Sequence, residues 1–315
     1  MQTRTLGNDG PGLSVLGLGC NNFGMKLDVD ETRAVVGAAL DAGINHFDTA
    51  EMYGGGRSEE YLAASLGSLR DEAVIATKYS PRPVDEPYLP GVLAKRIREG
   101  CEGSLRRLRT DRIDVLYQHH PDPDAPFDEV METLDELVRA GKVLTVAMSN
   151  LDAAQIDAVT SLARERGLAG VAGVQLEWSL LARQAEETIV PAARSRSLGI
   201  VPYFPLASGL LTGKYSADGP HPAGSRLAEI PLFAEVATAE NFAKVDRLAS
   251  IAAESGRSMV SLALAWLLAQ DGVTSVIAGA TSPSQVATNV ESLDWVLDAA
   301  DLQAVDEALS PGGDG

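Results

Sequence analysis

Residues 113–149, IDVLYQHHPDPDAPFDEVMETLDELVRAGKVLTVAMS, contain two short apolar runs separated by one amphipathic segment. Residues 113–119 and 143–149 have the composition of buried β-strands, and residues 127–140 have the apolar spacing of a helix that ends before Gly141. A strand, a helix and a second strand in this order are typical of a parallel sheet covered by helices. The stretch therefore predicts one βαβ unit.

The same alternation continues on both sides of this unit and gives eight βα units in all. Eight units over about 250 residues predict closure into a (β/α)8 TIM barrel, and an open doubly wound sheet is the main alternative. We expect residues 1–315 to form a single barrel domain, with an N-terminal β-hairpin and long loops at the rim formed by the carboxyl ends of the strands. The other strands are predicted at 16–20, 44–50, 74–78, 174–177, 200–204 and 275–277, and the other helices at 30–42, 57–66, 92–108, 153–166, 187–197, 258–269 and 284–292.

Two long loops interrupt the alternation. Residues 79–91, YSPRPVDEPYLPG, are rich in proline, and residues 206–240 form a long insert after the seventh predicted strand. Both follow the carboxyl end of a strand, where barrel enzymes place their active sites. We therefore expect both loops to act as lids.

The chain carries 44 acidic and 26 basic residues, which gives a formal charge of −18. A field of this sign repels phosphate backbones and anionic membrane surfaces, so neither nucleic acid nor a membrane is an expected partner. Two cysteines, Cys20 and Cys101, do not make a disulfide framework. The first residues lack the apolar run of a signal peptide, and no run of about 18 apolar residues predicts a membrane span, so we expect a cytoplasmic protein.

Three motifs suggest ligands but do not meet the requirements of a site. Residues 17–24, GLGCNNFG, lack the third glycine of a dinucleotide fingerprint because Asn22 stands in its place. Residues 209–215, GLLTGKY, are one residue short of a P-loop and lack its Ser or Thr. His119 and His120 are adjacent on a predicted strand, so their side chains should point to opposite faces and cannot easily share an ion. The sequence therefore predicts no metal site.

Polar side chains close several of the predicted strands. Asp48 closes the second strand, Lys78 the third and His119 the fourth, while Ser149 and Asn150 close the fifth. Taken singly, such residues are more often helix caps, paired structural ions or satisfied core groups than catalysts. The carboxyl ends of all strands in a barrel meet at one rim, so we interpret these residues together as a candidate site.

This combination of groups favours carbonyl reduction by hydride transfer. An unperturbed tyrosine titrates at about pH 10, so Tyr53 needs a nearby cation to donate a proton near neutral pH. Lys78 would supply that field, and Asp48 would pair with Lys78 and orient it. His119 would donate a hydrogen bond to the carbonyl oxygen. None of these groups is a strong nucleophile, so the hard step belongs to a cofactor.

The motifs resemble those of the aldo-keto reductase superfamily in order and approximate spacing. Asp48-Thr-Ala-x-x-Tyr53, Lys78 and Asp114-Val-Leu-Tyr-Gln-His119 resemble its catalytic tetrad, and the similarity runs from about residue 4 to about residue 295. The resemblance implies NAD(P)H-dependent reduction of an aldehyde or a ketone to the alcohol, with Tyr53 as the general acid. Asp48, Lys78 and His119 would complete the catalytic set.

The resemblance also implies a site for a nicotinamide cofactor. Ser149, Asn150 and Gln175 would hold the carboxamide of the nicotinamide, and Trp178 would stack on its ring. The other implied cofactor-binding residues are Gly19, Cys20, Asn21, Asp48, Tyr203, Pro205, Leu206, Ala207, Ser208, Gly209, Leu211, Lys214, Arg226, Gly279, Thr281, Gln285 and Asn289.

NADPH is the expected cofactor, with NADH as an alternative. Residues 279–285, GATSPSQ, lack the basic residue with which many family members bind the 2′-phosphate, but Lys214 and Arg226 could substitute for it. Asn21 replaces a more usual aromatic residue, and His120 replaces a Trp or Arg. The resemblance therefore implies an atypical substrate pocket.

Three functions stay open at this point. The first is an active reductase of a small carbonyl substrate, either as a monomer or as a homo-oligomer. The second is a non-enzymatic NADPH-binding subunit that resembles potassium-channel β subunits, and the lack of a visible docking extension favours the enzyme over it. The third is an isomerase or aldolase that forms a Schiff base on Lys78, which leaves the other motifs unexplained.

Overall fold

Ten strands form a small hairpin and a barrel in the computed structural model, which describes residues 1–83, 85–217, 219–222, 225–229 and 234–310. The side chain of Arg226 also lies outside the described part of the chain. The hairpin strands are β1 (Thr3–Thr5) and β2 (Gly12–Ser14), and the barrel strands are β3 (Leu16–Gly19), β4 (His46–Asp48), β5 (Val74–Tyr79), β6 (Ile113–Gln118), β7 (Val143–Ser149), β8 (Val171–Glu177), β9 (Gly199–Tyr203) and β10 (Val276–Gly279).

The eight barrel strands are parallel and are neighbours in the order of the chain, with β10 beside β3. Two main-chain hydrogen bonds complete the ring between β9 and the segment before β10. Ile200 N donates to Gly272 O at 3.0 Å, and Thr274 N donates to Ile200 O at 2.8 Å. The predicted (β/α)8 barrel is therefore confirmed, and the open doubly wound sheet is excluded.

Helices surround the barrel and join its strands. No helix among the described residues is both long enough and apolar enough to cross a membrane. The helices are α1 (Val29–Asp41), α2 (Arg57–Leu66), α3 (Val92–Leu108), α4 (Phe127–Arg139), α5 (Ala153–Arg166), α6 (Ile189–Ser195), α7 (Arg226–Glu229), α8 (Ala239–Glu254), α9 (Met259–Leu268), α10 (Pro283–Glu291) and α11 (Ala299–Leu309).

The helices differ from the sequence prediction at four places, one of which is the short α7 inside the predicted insert. The helix predicted at 187–197 is limited to α6, which begins only two residues before Pro191, a residue that lacks a main-chain donor. The sequence analysis did not predict α8, although Phe242, Val245 and Leu248 give it a buried stripe at helical spacing. It also missed α11, which begins with a capping box at Asp298.

The hairpin of β1 and β2 covers the amino-terminal end of the barrel, and the predicted N-terminal hairpin is confirmed. Leu6 and Leu13 are fully buried against the inner residues of the barrel strands. Leu6 lies so close to β8 and β9 that a Cβ on Gly173 or Gly199 would meet its Cδ1 within 2.6 or 2.7 Å. A Cβ would also meet main-chain atoms, with Gly199 O at 2.9 Å from Gly173 and Gly7 N at 2.8 Å from Gly199, and these atoms cannot move aside as the leucine can.

Strand alternation places the polar residues of the rim on the inner face. Alternate residues of a strand point to the same side, and Ala76, Val115, Ala147 and Val201 line the barrel interior with the hairpin leucines. The next inward positions toward the carboxyl ends are polar. They are Asp48 on β4, Lys78 on β5, Ser149 on β7, Gln175 on β8 and Tyr203 on β9.

Candidate active site

A buried ion pair lies at the rim where β4 and β5 end. Lys78 Nζ donates a hydrogen bond to Asp48 Oδ1 at 2.6 Å and another to the main-chain oxygen of Thr49 at 2.8 Å. The Lys78 side chain is 0% exposed. Burial by itself lowers the pKa of Lys78, but attraction to Asp48 and Tyr53 outweighs it and leaves the pKa above its ordinary value. The amine is therefore positively charged at neutral pH.

Tyr53 reaches this cation by a sharp turn after β4. Gly54 follows it with a φ of 60°, and a Cβ there would meet the main-chain oxygen of Phe23 at 3.0 Å. Both facts require a glycine at that position. The turn places the Tyr53 ring centroid 5.2 Å from Lys78 Nζ.

The charges around Tyr53 act on its pKa in opposite directions. Burial raises the pKa of Tyr53, Lys78 lowers it, and Asp48 raises it, with a net value above the ordinary one. Tyr53 therefore holds its proton at neutral pH. Lys78 is the nearest positive charge, so it stabilises the anionic form of Tyr53 and limits the rise of its pKa.

His119 faces Tyr53 across the rim. Their rings meet edge to face with centroids 5.8 Å apart, and His119 also stacks on His120 at 4.9 Å. Burial, Lys78 and His120 together lower the pKa of His119 to about 3, so its imidazole is neutral above that pH. Its Nδ1 is buried without a hydrogen-bond partner in the described part of the chain. A neutral imidazole has one N–H to donate, which suits a carbonyl oxygen.

Asn150 links the end of β7 to the ends of β6 and β9. Its Nδ2 donates to the main-chain oxygen of His119 at 2.8 Å and to Ser149 Oγ at 3.1 Å, and its Oδ1 accepts from the Tyr203 hydroxyl at 2.8 Å. Ser149 and Asn150, both predicted to bind the carboxamide, thus lie beside the tetrad. The Tyr203 hydroxyl keeps its proton for this bond, since burial and Glu177 raise its pKa to about 12.

Gln175, the third residue predicted to bind the carboxamide, contacts the tetrad directly. Its Nε2 donates to Asp48 Oδ2 at 2.7 Å, on the side of the carboxylate that Lys78 does not bind. The structure therefore brings the four predicted catalytic residues and these amide-bearing side chains into one connected group.

The main chain is strained around the predicted cofactor loop. Asn150, Phe204, Ala207 and Ser208 all have positive φ values, between 45° and 61°. Non-glycine residues rarely adopt this conformation, and where they do they cluster at active sites and ligand clamps. These four residues lie at the end of β7 and in the segment that follows β9, and Arg109 and Ser197 have the same conformation elsewhere in the chain, with φ values of 52° and 56°.

Several of the residues predicted to bind cofactor belong to the hydrophobic core, namely Cys20, Trp178, Ala207 and Leu211. Trp178 is 1% exposed, packs edge to face on Trp266 of α9 at 5.9 Å, and donates from Nε1 to Glu186 at 2.9 Å. The prediction that Trp178 stacks on the nicotinamide is therefore wrong. Leu211 is 0% exposed and also packs in the core. Tyr203, a half-buried ring at the end of β9, is the aromatic residue that the rim presents instead.

The predicted phosphate-binding loop is a turn that begins directly after β9. Residues Ala207–Thr212 form tight turns with positive φ values at Ser208 and Gly209, and Lys214 follows them with an exposed side chain. Lys214 Nζ lies 5.1 Å from the Tyr215 ring centroid and 3.5 Å from the position of a Cβ on Gly209. The amine thus lies beside the turn, while the side chain of Arg226, predicted to act with it, lies outside the described residues.

The predicted adenosine residues lie at the end of β10 and in the first turns of α10. Gly279 pairs with Gly19 of β3, which in turn pairs with Asp48 of β4. Gln285 folds back on Thr281 and accepts from its main-chain nitrogen at 2.7 Å. Asn289, further along α10, is buried. The end of β10 is thus separated from Asp48 by one strand, β3, and the adenosine role stays a prediction.

Comparison with known proteins agrees with this geometry. The family model for the aldo/keto reductase family matches residues 15–310. The chain belongs to the aldo/keto reductase family. It is 37% identical over 308 residues to a probable voltage-gated potassium channel subunit beta of Oryza sativa subsp. japonica, covering 94% of this chain and 92% of that protein. It is 33% identical over 326 residues to the uncharacterized oxidoreductase YrpG of Bacillus subtilis, covering 100% and 98%. It is 31% identical over 326 residues to L-glyceraldehyde 3-phosphate reductase of Escherichia coli, covering 99% and 93%.

This aldo/keto reductase has a buried ion pair that the sequence analysis did not single out. Arg82, in the proline-rich loop after β5, donates to both carboxylate oxygens of Asp122 at 2.9 and 3.0 Å and to Asp124 at 2.7 Å. The Arg82 side chain is only 3% exposed. The pair ties that loop to the segment after His119 and His120. An arginine among prolines was the one sequence signal for it.

A second missed network supports the strand that carries Lys78. Glu59 of α2 is fully buried, accepts from the Thr77 hydroxyl at 2.6 Å and accepts from Arg107 Nε of α3 at 2.5 Å. A buried carboxylate needs such partners because its desolvation is costly. Thr77 precedes Lys78, so the network fixes β5 from the outside of the barrel.

In the structure the glycines of the first apparent motif serve packing, and the two histidines of the third stack on each other. Gly17 and Gly19 lie within β3, where a Cβ would meet His46 Nδ1 at 2.6 Å or Ile277 Cγ2 at 3.0 Å. These glycines leave the space that His46 and Ile277 occupy in the barrel. β6 ends at Gln118, so strand alternation does not reach His119 and His120, and the two rings stack instead of pointing to opposite faces. Among the described residues no three His, Cys, Asp or Glu side chains gather around a metal position.

Proposed function

We propose that this aldo/keto reductase reduces an aldehyde or a ketone to the alcohol by hydride transfer from NADPH or NADH, with Tyr53 as the general acid. The observation that carries the proposal is the set of contacts of Lys78. Its buried amine is held by Asp48 and Thr49, 5.2 Å from the Tyr53 ring centroid. A fixed cation beside a phenol suits a group that gives up a proton and becomes transiently anionic.

The residues present fit a nicotinamide cofactor. Asn150 and Gln175 carry amides with donors and acceptors that match a carboxamide. Strained main chain at Ala207 and Ser208 supports a ligand clamp after β9, and Lys214 offers a cation to the phosphates. The bound reduced nicotinamide supplies the hydride, which none of the side chains of this chain supplies.

Tyr53 and His119 would hold the carbonyl oxygen of the substrate between them. As negative charge develops on that oxygen, Tyr53 transfers its phenolic proton to it and forms the O–H bond of the alcohol. Lys78 stabilises the tyrosinate that remains until Tyr53 recovers a proton from solvent. His119, neutral above a pKa of about 3, donates an N–H hydrogen bond to the same oxygen.

Two other functions are less well supported. A Schiff base on Lys78 would require an accessible, deprotonated amine, whereas this amine is 0% exposed and its pKa lies above its ordinary value. A non-enzymatic nicotinamide-binding subunit is favoured by relatives at 37% and 36% identity that are named as probable potassium channel subunits. The complete tetrad supports the enzyme instead.

NADPH is the proposed preferred cofactor. Lys214 is the described cation beside the phosphate-binding turn, and a charge-assisted hydrogen bond to a 2′-phosphate is stronger than one between neutral groups. The cytoplasmic location and the choice between monomer and homo-oligomer stay predictions.

A panel of aldehydes and ketones tests the reaction, with oxidation of NADPH and NADH followed by absorbance. We expect turnover by the parent, and we expect Tyr53→Phe to lower kcat by about 10²–10⁴-fold because only the proton donor is lost. Cofactor affinity should stay within a few-fold. Near-normal kcat in Tyr53→Phe would contradict the role of Tyr53. Tight NADPH binding without turnover of any carbonyl would favour the regulatory subunit.

A further inference from the structure

Both oxygens of the Asp48 carboxylate are bound inside the barrel. Lys78 Nζ donates to Oδ1 at 2.6 Å, and Gln175 Nε2 donates to Oδ2 at 2.7 Å. All three side chains are buried, with exposures of 4% for Asp48, 0% for Lys78 and 3% for Gln175. Gln175 is 127 residues away from Asp48 in the chain, so only closure of the barrel brings the two together.

The bond from Gln175 has a clear physical consequence for Asp48. A buried carboxylate that loses one of two donors keeps the full cost of desolvation for the oxygen left without a partner. It would also be free to turn about its terminal torsion, because carboxylate torsions are broad. Gln175 therefore fixes the plane of the carboxylate and, through it, the position of the Lys78 amine.

From these contacts we propose that Gln175 is a positioning residue for the proton donor, in addition to binding the carboxamide. It acts on Tyr53 through Asp48 and Lys78, and the inference rests on the proposed function. A primary amide has two N–H groups and a carbonyl oxygen, so the bond to Asp48 leaves capacity for the cofactor. One side chain thus joins the carboxamide site to the tetrad.

A separate chain of hydrogen bonds makes a similar connection on the other side of the rim. The Tyr203 hydroxyl donates to Asn150, and Asn150 donates to the main-chain oxygen of His119. This chain does not touch Asp48. It therefore provides a control, because a substitution there weakens the carboxamide site without removing a donor from the Asp48 carboxylate.

The sign of the effect on Tyr53 follows from its neighbours. The charge of Asp48 raises the pKa of Tyr53 and that of Lys78 lowers it. Without the Gln175 donor, the Asp48 charge is less neutralised and Lys78 is less well held. Both changes raise the pKa of Tyr53, and we expect a rise of about one unit, since a hydrogen bond to a charged group corresponds to roughly a tenfold change in equilibrium.

The experiment compares Gln175→Met with Ser149→Ala in the full chain. Ser149 is a predicted carboxamide ligand that accepts from Asn150 and has no hydrogen bond to Asp48. Tyrosines labelled with 13C at Cζ are titrated by NMR without cofactor, and Tyr53 is assigned by the loss of its signal in Tyr53→Phe. The pH profile of kcat and the Kd for NADPH are measured on the same proteins.

We expect Gln175→Met to raise the pKa of Tyr53 measured by NMR and the pKa of the alkaline limb of the kcat profile by the same amount. It should also lower kcat about tenfold. Ser149→Ala should weaken NADPH binding and leave both pH values unchanged. Gln175→Asn, whose shorter amide cannot reach Asp48, should repeat the shift if Gln175→Met does not fold. An unchanged Tyr53 titration in a folded Gln175 variant overturns the proposal. The titration needs no turnover, so it remains a test even if no carbonyl is reduced.

Discussion

Two parts of the rim are built in opposite ways. We call the part with Asp48, Tyr53, Lys78 and His119 the catalytic half, and the segments after β9 and β10 the cofactor half. In the catalytic half, Asp48 and Lys78 are buried and joined by a hydrogen bond of 2.6 Å. In the cofactor half, Lys214 and Gln285 are exposed, and the turn before Lys214 has positive φ values at Ala207 and Ser208, which the surrounding structure must maintain. The first half is fixed before any ligand arrives, whereas the second presents groups that a ligand would still have to order.

This contrast suggests that chemistry and cofactor choice are separate properties of the molecule. A preorganised charge in a dry site acts strongly because nearby water does not screen it. An exposed cation on a loop acts weakly, and part of its interaction is lost to ordering and to salt. Substitutions in the catalytic half should therefore change kcat, and substitutions in the cofactor half should change cofactor affinity.

Lys78→Met tests the catalytic half and should have the largest effect. We expect kcat to fall by about 10²–10⁴-fold, because Tyr53 loses the cation that stabilises its anion. Burial and Asp48 both raise the pKa of Tyr53, so the alkaline limb of the remaining pH profile should move upward. Lys78→Met combined with Tyr53→Phe should be hardly worse than either change alone, since the two residues act as a unit. Substantial activity with an unchanged pH profile would show that Lys78 has no such role.

The titration of His46 predicts that acid lowers the free energy of unfolding through a residue of β4, the strand that carries Asp48. Burial lowers the pKa of His46 to about 4, and its Nδ1 bonds Ser275 Oγ at 2.8 Å. Because the folded value lies below the unfolded one, this stabilisation is complete above about pH 6.5 and is lost as the pH falls toward 4. Full loss amounts to on the order of 3 kcal/mol. Denaturant unfolding of the parent and of His46→Asn across this range measures it. Equal pH slopes for the two proteins would contradict the assignment.

Much of the catalytic half could be predicted from sequence because it depends on local periodicity. Asp48, Lys78 and His119 each end an apolar run, and the rim of a barrel collects strand ends. The partners of these residues could not be predicted in the same way. The Gln175–Asp48 bond spans 127 positions, and the Arg82–Asp122 pair joins two loops whose approach depends on the closed barrel.

The cofactor half was predicted less well, for a related reason. Sequence spacing shows that Trp178 follows the end of β8, but not whether its ring turns inward to the rim or outward to α9, where it packs on Trp266. Tyr203 keeps strand alternation up to the last residue of β9 and could be placed more securely. α8 begins at Ala239, within the last residues of the 206–240 insert, so the long loop before it hides its start in the sequence.

A comparison of neutral and phosphorylated substrates tests whether any cation of the catalytic half is available to bind a substrate phosphate. Lys78 is paired with Asp48, Arg82 with Asp122 and Asp124, and His119 is neutral above a pKa of about 3. A phosphate carried near Tyr53 would lose hydration without a strong partner from these groups. We expect kcat/KM for glyceraldehyde to exceed that for glyceraldehyde 3-phosphate by about tenfold, measured as NADPH oxidation. A preference for the phosphorylated aldehyde would reveal a cation that serves the substrate, and it would connect this chain to the reaction named for its relative from Escherichia coli.

Lys214→Ala probes the cofactor half and should have the smallest effect. Lys214 is exposed and lies beside the turn of residues 207–212. A charge-assisted hydrogen bond to the 2′-phosphate would make NADPH bind about tenfold more tightly than NADH. The net charge of −18 opposes the more anionic cofactor, but at physiological salt this field is screened beyond about 8 Å, so contacts at hydrogen-bond range prevail. Titration of both cofactors should show a loss of NADPH affinity in Lys214→Ala with little change for NADH, and kcat should stay near the parent value.

Equal losses would assign Lys214 to the pyrophosphate that both cofactors share, and tighter NADH binding by the parent would reverse the preference. A large fall in kcat would break the separation between the two halves, because an exposed amine outside the tetrad would then be controlling the chemical step.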